Sequence, residues 1–150
     1  MAATTASPVA ESLINLSHDK GSPVTNLKLQ KLLYYAQAWH LVFYNAALFD
    51  EQIEAWVHGP VVPSVFRTYR YHRWNILARS QTSKSVERTA THLEEIWRVY
   101  GKFEAWQLER LTHDEKPWQQ ARAGLPSDVA SHNVITAGSM KDYYSSLLNG

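Results

Sequence analysis

The segment from Asn26 to Asn45 constrains this chain most. Leu29, Leu32, Leu33, Ala36, Trp39, His40 and Phe43 recur at helical spacing and define an inner stripe. Tyr34, Tyr35, Leu41 and Val42 spread apolar surface over the remaining faces, and Gln30, Lys31 and Gln37 are the main polar breaks. A helix that is apolar all round has to be surrounded by other elements. The sequence therefore predicts a buried central helix, capped by Thr25 or Asn26, with the rest of the chain wrapped about it.

The flanking segments supply the wrapping. Ser7-Pro8 reads as N-cap then first helical position, because the hydroxyl caps a free N–H and proline has none to leave unpaired. Ala10, Leu13 and Ile14 continue at helical spacing until Gly21-Ser22-Pro23 stops the run. Ile53 to Val57 fits a small strand or an extended link, and Gly59-Pro60 a turn. Pro63 suits the first turn of a third helix reaching about Arg73, with Val62, Val65, Phe66 and Tyr69 on its apolar side. Residues 75–85 read as a polar loop. Val86 to Tyr100 reads as a fourth helix, with Gly101 placed to end it in the left-handed conformation. Short helices are expected near Glu104–Leu111 and from His113 or Glu115 to before Gly124. The stretch Leu125–Ala137 reads as a loop with one apolar anchor at Val134-Ile135, and Ser139–Leu148 as a last helix. The expectation is an all-α fold: one domain over residues 1–150, with its core at about 7–148. It has six to seven short helices around the central one and at most a minor strand.

Composition excludes several functions. There is no cysteine, so disulfides and thiolate metal sites are ruled out. The start Met1-Ala2-Ala3-Thr4-Thr5-Ala6 lacks the basic and apolar runs of a secretory leader, and no run is long enough to span a membrane. These features suit a cytoplasmic protein. No phosphate-binding glycine loop, nucleophile elbow or zinc-binding histidine pair occurs. We therefore expect no catalytic residue, no metal and no cofactor. The rival enzyme reading is a metal-dependent hydrolase built from His58, His113 and Asp114. The net charge of +1 argues against a nucleic-acid coat. One local bias remains: Arg67, Arg70, Arg73, Arg79, Lys84 and Arg88 are opposed only by Glu87. Tyr69, Tyr71 and Trp74 interleave with the first three arginines. The mixture suits an acidic partner or phosphates; the plainer alternative is a solvated helix face with its aromatics turned inward.

Several residues have a structural reading. Gly59 would permit a backbone shape that a Cβ forbids, and Pro60 and Pro63 would rigidify the start of the third helix. Thr112 and Glu115 match a capping box, but Pro117 then falls where an N–H is needed. Asp114 as N-cap puts Pro117 at the third helical position at no such cost and is preferred; Trp118 is then a core anchor.

Three ordered segments carry a resemblance: Leu29–Gln37, Phe49–Pro63 and Leu111–Arg122. Together they resemble the Panacea domain, the SocA-like antitoxin family, over about residues 10–148. The resemblance implies an antitoxin of a bacterial or phage toxin–antitoxin system, in phage defence or a prophage, that neutralises a cognate toxin by direct protein contact. Its alternative is a proteolytic adaptor that delivers the toxin to an AAA+ protease. Neither specific nucleic acid nor membrane is expected as a partner. The expected toxin-binding residues are Lys31 and Tyr35 on one face of the central helix, Trp56 and His58 before the turn, and Arg67 and Arg70 after it. The competing view of Tyr35 and Trp56 is that they are core.

Overall fold

The structure is a computed structural model, and it describes residues 2–81 and 87–149. Its centre is helix α2, Asn26–Tyr44. The Thr25 hydroxyl accepts from the Lys28 N–H at 3.3 Å and caps the helix start. Asn45 ends it in the left-handed conformation, φ 53° and ψ 33°. Fourteen of its nineteen residues are buried, as expected of a helix without a polar face. The inner stripe stops short of its predicted end. Phe43 is 59% exposed, with one side of its ring stacked on Trp39.

Around α2 pack α1 (Ala6–Asp19), α3 (Pro63–Tyr69), α4 (Glu87–Tyr100), α5 (Ala105–His113) and α7 (Ala137–Asn149). Helix α6, Lys116–Ala121, bridges α5 and α7. A 3-10 turn, Arg70–His72, extends α3. The expected last residue of that helix, Arg73, lies just beyond the turn. Val86 and Lys84 lie outside the described residues, as do the side chains of Glu87 and Arg88. No described helix is long and apolar enough to cross a membrane.

The mostly helical class is as expected, and the β content is confined to one small three-stranded sheet. Ile53–Trp56 forms β1, Gly59–Val61 forms β2 and Val134–Ile135 forms β3, in the antiparallel order β2-β1-β3. Trp56 pairs with Gly59 and Ala55 with Pro60, so Val57-His58 is a two-residue hairpin loop. Pro60 is tolerated because β2 is an edge strand. The apolar anchor expected at Val134-Ile135 is half right. Ile135 is buried opposite Ile53, while Val134 faces outward.

Three local expectations are corrected. Thr5, not Ser7, is the N-cap of α1, and Pro8 is its third residue, where an N–H is still dispensable. Gly101 is not left-handed; a Cβ there would lie 2.5 Å from the Trp97 ring, so glycine is needed for space. Asp114 caps the C-terminus of α5, and Glu115 is the N-cap residue of α6, with Pro117 second. Glu115 is free of capping duty because its carboxylate is engaged in the core. A capping box does occur, at Glu104 and Gln107 of α5.

Candidate functional site

Polar side chains on α2 would be costly to bury without partners. Each break in its apolar surface meets one. Gln30 Oε1 accepts from the Val62 N–H at 2.9 Å, and its Nε2 donates to Asn26 Oδ1 at 2.9 Å. Gln37 accepts from the Leu48 N–H at 2.7 Å and donates to the Phe49 carbonyl at 2.8 Å. Lys31 Nζ donates to the Pro60 carbonyl at 3.3 Å. The amides and the ammonium of α2 thereby hold the connecting loops and the hairpin onto the central helix.

Lys31 and Tyr35 share a helix face, as predicted, but the face points inward. Lys31 is 1% exposed and Tyr35 0%, so the premise that they are surface anchors does not hold. The physical reason is that β2 and α5 lie over Lys31, while Glu115 and α7 enclose Tyr35. A Cβ on Gly59 would stand 2.7 Å from Lys31 Cε and 3.0 Å from Thr112 Oγ1, at a backbone φ of +108°. Gly59 thus lets the hairpin close over the lysine. Burial lowers the Lys31 amine to about 8, although Glu109 nearby works the other way.

Tyr35 belongs to a tyrosine cluster around one carboxylate. Its hydroxyl donates to Glu115 Oε1 at 2.6 Å, and that of Tyr144 donates to the same oxygen at 2.8 Å. Tyr144 also reaches the Tyr34 hydroxyl at 2.9 Å. Tyr100 stacks on Tyr35 with ring centroids 3.9 Å apart and accepts from Trp39 Nε1 at 2.8 Å. Burial raises the Glu115 carboxyl above its usual range, and the two hydroxyls partly offset this. Burial pushes Tyr34, Tyr35 and Tyr144 upward as well. The cluster ties α2, α6 and α7 together.

The third motif segment closes the other end. Trp118 is buried, as expected, and its Nε1 donates to the Trp56 carbonyl at 2.8 Å. Arg122 lies over the Trp118 ring at 4.8 Å and donates to the Ala55 carbonyl at 3.1 Å. It also donates to the Pro126 carbonyl at 2.8 Å and to that of Val129. His113 stacks on Trp118 at 3.9 Å, and burial lowers its imidazole. His58 hydrogen-bonds Glu109 at 3.0 Å in the exposed hairpin loop, and Asp114 is exposed. Among the described residues no group of three His, Asp or Glu side chains stands together to hold a metal.

The structure divides the six expected toxin contacts into three kinds. Lys31 and Tyr35 are interior. Trp56 is half-buried, packed on Phe66 at 5.1 Å and on His132 at 5.6 Å. His58, Arg67 and Arg70 are exposed. Trp56 and His58 engage different neighbours, because His58 sits in the loop and turns to α5.

Two surface features stand out beside them. At the end of α3, Tyr71 is 80% and Trp74 75% exposed, among the exposed Arg67, Arg70 and Arg73. These aromatics do not turn inward, because the helix ends before them. Elsewhere Trp39, Phe43, Tyr44, Ile96, Val99 and Leu148 line a groove of 390 Å³ between α2, α4 and α7. Sequence reasoning missed this groove, since its residues fit the helical stripes of three separate segments. It also missed the tyrosine–Glu115 cluster; Glu115 stands beside Asp114 and Lys116 in a polar stretch, so nothing in the sequence set it apart as buried.

Comparison with known proteins gives two findings. The family described as antitoxin SocA-like, Panacea domain, matches residues 29–119. Antitoxin SocA of Caulobacter vibrioides is 34% identical over 153 aligned residues, covering 90% of this chain and 81% of that protein. No solved structure matches the chain.

Proposed function

This chain belongs to the Panacea-domain family of SocA-like antitoxins, and we propose that it neutralises a cognate toxin by direct protein–protein contact. One observation carries the reading. The polar residues of the three motif segments are largely engaged inside the fold, as Gln30, Lys31, Glu115 and Arg122 are. What remains for a partner is surface, and that surface includes arginine and aromatic side chains of the kind that anchor interfaces. His58, Arg67 and Arg70 are proposed to contact the toxin, with Trp56 supporting them from below. Lys31 and Tyr35 contribute by holding the hairpin and α6 in place.

The test is co-expression with the product of an adjoining reading frame that arrests growth. Restored growth together with a stable complex that survives purification is the expected result. Failure of both rescue and complex formation would overturn the reading.

A second reading is an adaptor that hands the toxin to an AAA+ protease. The observation in its favour is the apolar groove between α2, α4 and α7, a second face separate in composition from the arginine-bearing one. An adaptor needs one face for cargo and another for the protease. Rescue that vanishes in cells lacking the protease, while the complex still forms, would select this reading over simple sequestration.

A further inference from the structure

We propose that the corner at the end of α3, residues 67–76, docks an acidic segment of the toxin that carries an aromatic or leucine anchor. This rests on the antitoxin reading and names the chemistry of the partner. The first support is charge. Residues 55–86 contain five basic side chains and no acidic one, so the rest of a chain with net charge +1 carries −4. Within this stretch Arg79 is already paired with Asp19 at 2.7 Å. Among the described residues Arg67, Arg70 and Arg73 have no carboxylate partner. Arg70 instead lies over the Tyr71 ring at 4.8 Å and donates to its hydroxyl at 2.8 Å, so cation and ring form one platform.

The second support is rigid presentation. Directly after the corner, Leu77 is buried, its N–H donates to the Val24 carbonyl at 2.8 Å, and His18 bonds its carbonyl at 2.7 Å. At its start, Phe66 packs on Trp56 and Tyr69 packs against the core. The exposed side chains between these moorings therefore sit on a fixed base, which lowers the ordering cost of binding.

The third support is strain. His72 to Asn75 form a tight turn closed by the Asn75 N–H on the His72 carbonyl at 2.8 Å. Arg73 occupies its second position at φ 51° and ψ −117°, the place in a type II′ turn that glycine normally fills. A side chain held there is unfavourable for folding, and the turn presents Arg73 and Trp74 to solvent together. Folding alone gives no reason for an arginine at this position; recognition does.

An acidic protein segment fits better than nucleic acid. The corner pairs its cations with the exposed Tyr71, Trp74 and Ile76, which suit a short apolar anchor. The net negative remainder of the chain would repel the extended charge of a duplex.

The experiment is an NMR titration of the full chain. The probe is a synthetic peptide of alternating Asp and Glu around a central Phe-Leu, compared with a twin carrying lysine in place of every carboxylate. We expect the acidic peptide alone to shift the amides of residues 67–76, with affinity falling roughly tenfold between about 50 and 200 mM salt. The double change Arg70→Glu and Arg73→Glu should abolish the shifts. Arg73→Gly should weaken binding several-fold while the thermal midpoint stays level or rises, an outcome that misfolding cannot mimic. Equal response to the lysine twin, shifts confined to other surfaces, or no binding would overturn the proposal. So would a short DNA duplex that displaces the peptide and shifts the same amides more strongly. The titration needs no toxin, so it fails separately from the antitoxin reading. A chain that rescues growth equally well with and without these substitutions would leave that reading standing and remove only this one.

Discussion

The face of α2 that carries Lys31 and Tyr35 and the corner that carries Arg70 and Trp74 use the same residue types in opposite ways. On α2 a cation and an aromatic are enclosed, and each hydrogen-bonds another element. At the corner a cation and an aromatic are in water, and among the described residues neither hydrogen-bonds another element. The difference teaches that residue type does not locate an interface. Lys31 and Tyr35 looked like anchors because lysine and tyrosine are amphipathic, and the same amphipathicity lets them serve inside a fold when a carbonyl or carboxylate waits for them.

The largest expected effect tests whether α2 is as central as this contrast requires. Leu33 is fully buried. Leu33→Ala should cost about 2–5 kcal/mol in chemical denaturation. A loss below about 0.5 kcal/mol would make the helix peripheral and collapse the contrast.

Next comes the carboxylate at the centre of the tyrosines. Glu115→Ala strands the Tyr35 hydroxyl and leaves Tyr144 only its bond to Tyr34, and should cost roughly 2–3 kcal/mol. Glu115→Gln retains an acceptor oxygen and removes the cost of burying charge, so at neutral pH it should be neutral or stabilising. Because the folded carboxyl titrates above its unfolded value, ionisation opposes folding as pH rises through that interval. The glutamine variant should lose this dependence between acid and neutral pH. A glutamine variant as unstable as the alanine one would mean that the charge itself is required.

Lys31 gives a smaller effect of distinct sign. Its folded value of about 8 lies below the unfolded 10.5, so between them the unfolded chain binds more protons and stability rises with pH. From pH 8 to 10 the gain should be about 2 kcal/mol. Above that the buried tyrosines, raised in the fold, reverse the trend. Lys31→Met should flatten the rise. A rise that persists unchanged in the methionine variant would place Lys31 in water, beside the corner arginines in kind.

The smallest effect belongs to the corner. Arg70→Glu and Trp74→Ala should each change stability by less than about 0.5 kcal/mol, since neither side chain packs in the core. A loss above about 1 kcal/mol for either would show that the corner, too, supports the fold.

Much of the fold was legible in residue order. The all-round apolar run from Leu29 to Leu41 requires enclosure, and Thr25 and Gly21 mark where helices start and stop. Gly59 and Pro60 announce a turn, but the turn itself is Val57-His58, and the two residues open β2 directly after it. Trp118 is the core anchor expected, although the Asp114 cap from which that expectation was drawn belongs to the end of α5. The three motif segments pointed to the family that the comparisons show. Caps were less legible. Asp114 and Glu115 are both plausible helix starters, and what settles the matter is that Tyr35 and Tyr144 take the glutamate into the core.

The sequence alone thus determined the helical class, the central element and the family, because these depend on spacing along the chain and on the order of short motifs. The tertiary structure decided which polar residues are inside. Periodicity distinguishes faces only when one of them is polar, and α2 offers no such face. Whether Lys31 meets water or Pro60, and whether Trp74 meets the core or solvent, depends on elements far away in sequence. The hairpin and α5 cover the first, and nothing among the described residues covers the second.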